Sequence, residues 1–458
     1  MTAIDLSAPR RIHLIGVGGS GMNAIAAVLA GRGHTVTGSD LKPSAGLDRV
    51  RALGIEAAVG HDADHVGDAD AVARSTAIPD HNVELREAHR RGLPVLRRAE
   101  ILAAIAGHKR TVAVAGTHGK TTTSSMLSLV LLRAGAHPSF IIGGDVNEIG
   151  SGADWDDEGE LFVVEADESD GTFLELPAAA AIITNVDPDH LDHYGSFDDL
   201  TDAFERFATA ATGHVVVPDS GVGASLAGPG RTTFGLGEGA DVRLVDFDGQ
   251  RSHSTFSLAF RGGEPIAVRL AVPGPHNALN AAAAAAMAVE LGVEPETACE
   301  GLGRYAGVAR RYEFRGEAAG VTFVDDYAHL PAVVEAALST ARDGGFDRVV
   351  CAFQPHRFSR TAAVWQDFAD AFVDADLLLL TDIYPAGEPV RPGITGRLVL
   401  RAVLDAHPDQ RVAYLPTLGD VETFLAGELR AGDLCLTLGA GDLTLVPDRV
   451  LADLEPSP

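Results

Sequence analysis

A run of apolar residues that stops at two glycines and restarts as a helix constrains this chain more than any other feature. Thr111-Val-Ala-Val-Ala115 reads as a β-strand, Gly116-Thr-His-Gly119 interrupts it, and a helical pattern from Lys120 carries Met126, Leu127, Leu129, Val130 and Leu131. Strand, glycine turn and helix N-terminus make a phosphate cradle. Backbone N–H groups and the helix dipole attract the anion, and glycines let it approach. In such a cradle Lys120 neutralises the terminal phosphates, and Thr121 is placed to ligate magnesium. The loop is a shortened variant, Gly116-x-x-Gly119-Lys-Thr. The strict motif wants another glycine where Val114 stands.

A second glycine turn lies about a hundred residues earlier. Ile12-His-Leu-Ile15 is a strand, Gly16-Val-Gly18-Gly19-Ser20-Gly21-Met22 opens a helix, and a second strand from Thr35 ends at Ser39-Asp40. Glycines in this pattern, with an acidic residue further on, form the dinucleotide fingerprint. Three readings stay open on these residues: NAD, the diphosphate of another nucleotide, or a tight turn that binds nothing. The same amides serve any pyrophosphate, and Asp40 serves any ribose or base donor.

Two nucleotide signatures need more than one domain, and 458 residues supply two or three. The chain is 46% hydrophobic and 22% charged, so it has the means to bury a sizeable core. Its net charge of −28 argues against nucleic acid as a partner. Cys299, Cys351 and Cys435 are scattered, with neither metal-ligand spacing nor a disulfide framework. That fits a reducing cytoplasm. The residues up to Arg11 lack the apolar core of a signal peptide, and the alanine-rich run after Asn280 stops at Glu290, too short to span a bilayer. No membrane insertion is expected.

Beyond the phosphate loop, the strand Leu161–Val164 opens into Glu165-Ala-Asp167-Glu168-Ser-Asp170. Carboxylates at a strand end beside a phosphate loop suggest magnesium. The strand Ala181–Thr184 ends in Asn185-Val-Asp187-Pro-Asp189-His190-Leu-Asp192, which offers His190 as a further ligand. Short alternating runs between Arg231 and Val272 suggest antiparallel strands attached to this domain. Pro273-Gly-Pro-His276-Asn277-Ala-Leu-Asn280 then opens a long alanine helix. Asn277 and Asn280 share a helix face, to cap the helix or to hold an adenine edge. After this, strands and helices alternate again, which means a parallel sheet with covered faces. Asp325-Asp326-Tyr-Ala-His329, Gln354-Pro-His356-Arg357-Phe-Ser-Arg360 and Gly439-Ala-Gly441-Asp442 all follow strands of that sheet. Ligands bind at such carboxyl strand ends.

Taken in order, these motifs resemble the Mur ligases of bacterial peptidoglycan synthesis over nearly the whole chain. Gly16–Met22 resembles the family's UDP-binding loop and Gly116–Thr123 its ATP loop. Glu165–Asp170 and Asp189–Asp192 resemble its metal segments, and His276-Asn277 with Asn280, Arg310-Arg311, Asp325–His329 and Phe353–Arg357 complete the set. One position departs: Leu330 stands where the family pattern has a second histidine.

The resemblance implies an α/β protein of three domains: a Rossmann-like UDP-sugar domain over 1–108, a central ATP domain over 109–309 with added antiparallel strands, and a Rossmann-like domain over 310–458 that completes the ATP and amino-acid site. It implies ATP-dependent ligation of L-alanine to UDP-N-acetylmuramate through an acyl phosphate, with ATP and Mg²⁺ as cofactors and a monomer or weak homodimer as the working form. The implied catalytic residues are Lys120, Glu165, His190, Arg311, Asp326 and His329. Gly116, Thr117, His118, Gly119, Lys120, Thr121, Thr122, His276, Asn277, Asn280, Arg311 and Asp326 would hold ATP; Thr121, Glu165 and His190 would hold the metal. Gly18, Gly19, Ser20, Gly21, Met22, Ser39, Asp40, Asn185, His190, His356, Arg357 and Arg360 would hold the other substrates. The competing readings are an NAD-dependent dehydrogenase with an unrelated phosphate domain, and a silent nucleotide-binding regulator.

Overall fold

The computed structural model describes residues 4–250 and 253–454. Its strands form three sheets. The first contains β1 (Arg11–Ile15), β2 (Thr35–Asp40), β3 (Glu56–Val59), β4 (Ala71–Arg74) and β5 (Val95–Arg97) in the order β3-β2-β1-β4-β5. Every pair in it is parallel. The order reverses at β1, so the loop after β1 opens at the sheet's switch point, where open α/β sheets bind ligands. Ile15 lies opposite Ser39, which sets the glycine loop beside Asp40.

The second sheet holds β6 (Arg110–Ala115), β7 (Ser139–Val146), β8 (Ser151–Asp154), β9 (Leu161–Glu165), β10 (Ala180–Ile183), β11 (Val215–Pro218), β12 (Arg231–Gly235), β13 (Val242–Gly249), β14 (Ser254–Phe260) and β15 (Ile266–Leu270). Their order is β15-β14-β13-β12-β11-β10-β6-β9-β7-β8. The core strands from β11 to β7 run parallel, and β8 pairs antiparallel to β7. β12 pairs parallel to both β11 and β13, and β13, β14 and β15 follow as successive sheet neighbours. β6 lies between β10 and β9. Ala115 faces Ile183 and Val114 faces Glu165, so three strand ends gather around one loop.

The helix Lys120–Arg133 that follows β6 is buried along Thr121–Leu131. Two of its interior hydroxyls bond back to the helix: Ser124 donates to the Lys120 carbonyl and Ser125 to that of Thr122. Helix Pro275–Glu290 buries its alanines from Ala281 to Ala288, so the alanine run is a core helix. Among the described residues no helix is long and apolar enough to cross a membrane.

The third sheet contains β16 (Glu313–Ala318), β17 (Val321–Asp326), β18 (Arg348–Phe353), β19 (Leu377–Leu380), β20 (Val412–Tyr414) and β21 (Asp433–Leu438), in the order β16-β17-β21-β18-β19-β20. All pairs are parallel except β16 with β17. Leu438 lies opposite both Asp326 and Phe353, so three polar segments leave this sheet at one edge.

The chain divides into two compact units. One holds the chain through Phe247 with Phe256–Arg269 and His276–Ala306; the other holds Asp248–Thr255, Leu270–Pro275 and the chain from Gly307. The first sheet and the second up to β12 thus belong to one unit, while the ends of β13, β14 and β15 are assigned to the other. Within it, the ring of Trp155 after β8 has Arg32 at 4.6 Å and Lys109 at 4.5 Å from its centroid, and Arg97 pairs with Glu175 at 2.9 Å.

Candidate active site

The loop after β6 is built to leave its amides and one cation near each other. Gly119 precedes the helix with φ +79°, and no side chain caps that helix. Three other helices do carry side-chain caps, from Ser44, Asn82 and Ser196. A Cβ on Gly119 would lie 2.4 Å from Asn280 Oδ1, so Asn280 covers the loop and only glycine fits beneath it. The segment after β10 braces the other side. Asn185 Oδ1 accepts from the His118 amide at 2.8 Å, and its Nδ2 donates to the His118 carbonyl at 3.0 Å. The Asp187 amide donates to Thr117 Oγ1 at 2.9 Å. Asn185, expected on the substrate, thus makes one bond from each of its polar atoms to the loop backbone.

Thr121 meets Glu165 at the end of β9. Thr121 Oγ1 donates to Glu165 Oε2 at 3.0 Å, and the Gly143 amide donates to the same oxygen at 2.8 Å. A Cβ on Gly143 would come within 2.6 Å of that carboxylate, so β7 needs glycine at this point. A hydroxyl and a carboxylate are hard oxygen donors of the kind magnesium takes, with substrate phosphates completing its shell. His190 stands beside a different carboxylate: its Nε2 is 3.6 Å from Glu168 and 3.5 Å from Asp189. The Asp192 side chain lies outside the described residues. Among the described residues the one His, Asp and Glu set with ligand atoms mutually within 4.8 Å is His137, Asp156 and Glu158, a largely exposed group away from the loop.

Glu168 is the residue that sequence reasoning underrated. It is buried, and its carboxylate pairs with Lys120 Nζ at 2.8–2.9 Å. Burial raises its pKa to about 7, against the pull of Lys120. Lys120 also donates to the carbonyls of Gly116 at 2.7 Å and Thr117 at 3.3 Å. Four acidic residues within Glu165–Asp170 were visible, but which one folds back onto Lys120 depends on the turn after β9.

At the first glycine loop the Gly18 amide donates to Asp40 Oδ2 at 3.0 Å. A Cβ on Gly18 would lie 2.9 Å from that oxygen, and one on Gly21 would lie 2.7 Å from Arg98 Nη1. Gly19 and Ser20 are exposed at the helix start, whereas Met22 is part of the core. Ser39 is buried and donates to Glu84 Oε2 at 2.6 Å. Glu84 is itself a hub, 3.0 Å from His65, 3.3 Å from His61 and 3.6 Å from His13. Burial alone would raise Glu84; the neighbouring His13 and the hydrogen bond from Ser39 bring it down to about 2. Arg98 also stands 3.9 Å from Asp167, and the two line a small pocket with Ala99, Glu165, Thr172 and Phe173.

In the third sheet Asp326 is buried, with Oδ2 accepting from the Tyr312 amide at 2.6 Å and Oδ1 from the Ala328 amide at 2.7 Å. Burial raises its pKa, opposed by Arg311. Asp326 thereby fixes the turn Arg310–Tyr312, where both named residues take positive φ. Arg311 lies 5.4 Å from the Tyr327 ring centroid. Arg360 Nη1 donates to His356 Nδ1 at 3.0 Å, which fixes that nitrogen as an acceptor and the imidazole as neutral. Burial, aided by Arg360, lowers His356 to about 4 and His329 to about 3. Arg357 initiates the helix Phe358–Val364 at φ +67° and is exposed. His276 is exposed at the start of its helix, while Asn277 is buried.

Models of three Mur ligase domains match the chain in order: the family's catalytic domain over residues 11–110, its middle domain over 114–288 and its glutamate ligase domain over 310–441. The chain belongs to the Mur ligase family. Among curated relatives of this Mur ligase, a UDP-N-acetylmuramate–L-alanine ligase from Kineococcus radiotolerans is 48% identical over 454 residues, covering 96% of this chain and 95% of the relative. The protein of the same name from Saccharopolyspora erythraea is 42% identical over 99% of this chain and 95% of its own. The crystal structure of the UDP-N-acetylmuramate–alanine ligase of Thermotoga maritima superposes with a TM-score of 0.83 at 28% identity, covering 97% of this chain and 99% of that one. The three-domain α/β fold expected from sequence is therefore the fold observed, and the dehydrogenase alternative finds no support in any of these matches.

Proposed function

We propose that this Mur ligase joins L-alanine to UDP-N-acetylmuramate at the expense of ATP. The observation that carries the reading is the presence, in one compact unit, of two separate glycine loops with different partners: Gly16–Gly21 beside Asp40, and Gly116–Gly119 beside Lys120, Thr121 and Glu165. A ligase that takes a UDP-sugar and ATP needs both loops. The names of the full-length relatives supply the identity of the sugar nucleotide and the amino acid.

In this reading the chain works as three modules, 1–108 for the UDP-sugar, 109–309 for ATP, and 310–458 for groups that serve the nucleotide and alanine. The muramate carboxylate attacks the γ-phosphorus of ATP, giving an acyl phosphate and ADP. The alanine amine then attacks the acyl carbon, and phosphate leaves as the amide forms. The residues act mainly by placement and charge. Lys120 balances charge on the transferring phosphoryl group, Asn280 closes the loop above Gly119, and Arg360 receives the alanine carboxylate. Thr121 and Glu165, with His190 nearby, would hold Mg²⁺, which neutralises phosphate charge when bound. Asp326 positions Arg311 by holding its turn. The reaction's soluble nucleotides put the enzyme in the cytoplasm, as a monomer or weak homodimer without nucleic acid.

Phosphate release on mixing the protein with ATP, Mg²⁺, UDP-N-acetylmuramate and L-alanine tests the reading. Release should need all four. Release without alanine, or with NAD consumed instead, refutes it.

A further inference from the structure

The ε-ammonium of Lys120 has three N–H groups, and all three find acceptors within the protein: the Gly116 carbonyl, the Thr117 carbonyl and the Glu168 carboxylate. Two of these are loop backbone and carry no net charge. Glu168 is the anion, and its carboxylate lies 2.8–2.9 Å from Nζ, where a phosphoryl oxygen would compete for the same cation. Glu168 is 1% exposed and the Lys120 side chain 14%, so solvent screens the pair little. The backbone of Glu168 is pinned, its carbonyl accepting from Tyr194 Oη at 2.6 Å. The carboxylate can therefore turn but not withdraw with its chain. The neighbour it can turn to is His190, whose Nε2 is 3.6 Å from Oε1.

We propose that Glu168 is a latch on Lys120: it occupies the lysine in the unloaded loop, and a nucleoside triphosphate displaces it. Glu168 then stands against His190 as a positioning residue. The proposal rests on Lys120 being a phosphate contact, as argued above. It separates Glu168 from Glu165, which touches Thr121 and Gly143 instead.

Calorimetric binding of a non-hydrolysable ATP analogue in Mg²⁺-free buffer tests this without turnover. Glu168→Gln keeps the shape and removes the charge, so the analogue should bind roughly tenfold more tightly, the scale of one close charge pair. Lys120→Ala should bind it more weakly, and adding Glu168→Gln to that variant should change nothing further, because the latch acts only through Lys120. Glu168→Asp, which shortens the reach but keeps the charge, should tighten binding less than Glu168→Gln and provides a second variant if the first does not fold. Unchanged or weaker binding by folded Glu168→Gln, with Lys120→Ala still weakened, overturns the latch alone. Glu168→Gln that binds normally without Mg²⁺ but needs more Mg²⁺ makes Glu168 a metal ligand and also overturns it. Unchanged binding by Lys120→Ala overturns the phosphate assignment itself.

Discussion

Replacing Gly119 by alanine tests the phosphate loop at its narrowest point. Two costs add. The residue holds φ +79°, where an L side chain costs about 1–2 kcal/mol. Its new Cβ would also lie 2.4 Å from Asn280 Oδ1, inside any real contact, so Asn280 must turn away. Asn280 is buried near the start of Pro275–Glu290, and a buried amide that loses its setting costs about 1–3 kcal/mol. Together the substitution should cost roughly 2–5 kcal/mol, divided between stability and nucleotide binding according to how far the unloaded loop relaxes.

Thermal unfolding and ADP calorimetry measure the two shares, and UDP-N-acetylmuramate affinity serves as the control. Gly119→Ala should lower the melting temperature, weaken ADP by at least ~10-fold at about 1.4 kcal/mol per decade, and leave the UDP-sugar within twofold. Combining it with Asn280→Ala should recover the part due to the clash and leave the dihedral cost of about 1–2 kcal/mol. A Gly119→Ala protein with normal ADP affinity and normal melting refutes the geometry. Equal loss of ADP and UDP-sugar affinity refutes the assignment of separate sites.

Three further outcomes are expected. Gly143→Ala puts a Cβ 2.6 Å from Glu165 Oε2 and 3.1 Å from Thr121 Oγ1, so the Mg²⁺ concentration for half-maximal rate should rise several-fold; an unchanged Mg²⁺ titration argues against that pair as the metal site. Arg360→Ala should raise the KM for L-alanine by ~10- to 150-fold, the range for a lost charge-assisted carboxylate contact of about 1.5–3 kcal/mol, with the ATP KM within a few-fold; the reverse pattern moves Arg360 to the nucleotide. His356 has a folded pKa of about 4, below the unfolded value of ~6.5, so the unfolded chain binds the extra proton between them. Its contribution is complete above pH 6.5 and lost as pH falls through 4, on the order of 1–2 kcal/mol for a partly exposed ring. Denaturant melts of wild type should therefore lose more stability than His356→Gln between pH 6.5 and 4, and parallel curves contradict this.

The elements that sequence located well are those whose burial is one-sided or complete. β1, β18 and β15 begin and end within a residue of the apolar runs Ile12–Ile15, Arg348–Phe353 and Ile266–Leu270. The missed strands are short or weakly apolar. Glu56–Val59 has one buried residue in four, Val95–Arg97 is three residues long, and Glu313–Ala318 reads Glu-Phe-Arg-Gly-Glu-Ala with Phe314 exposed. Such edges exist because a neighbouring strand offers a ladder, and no periodicity of their own announces them. Ser139–Val146 was hidden by Gly143 and Gly144. Those glycines look like a turn in sequence, yet Gly143 sits in a strand because Glu165 needs its space.

Site residues divide along a similar line. Placements set by a local motif were legible: Lys120 opens the helix after Gly116-x-x-Gly119, and Asp40 ends the second strand. Roles that depend on which side chain turns toward which were not. Asn185 looked like a ligand group and braces His118. Ser39, expected on the substrate, donates to Glu84, which gathers His13, His61 and His65 from three segments. Asp326, expected among the catalytic residues, accepts from the Tyr312 amide of the Arg310–Tyr312 turn and from the Ala328 amide. In each case a polar side chain at a strand's carboxyl end has two uses, to meet a ligand or to satisfy the backbone of the loop that meets it. Buried amides in irregular loops must find acceptors, so a loop open enough to bind phosphate needs more bracing than a closed turn. A sheet edge rich in Asn, Asp and Thr therefore spends part of that polarity on holding its own glycine loops, and only the register of neighbouring strands decides which residues are left for the ligand.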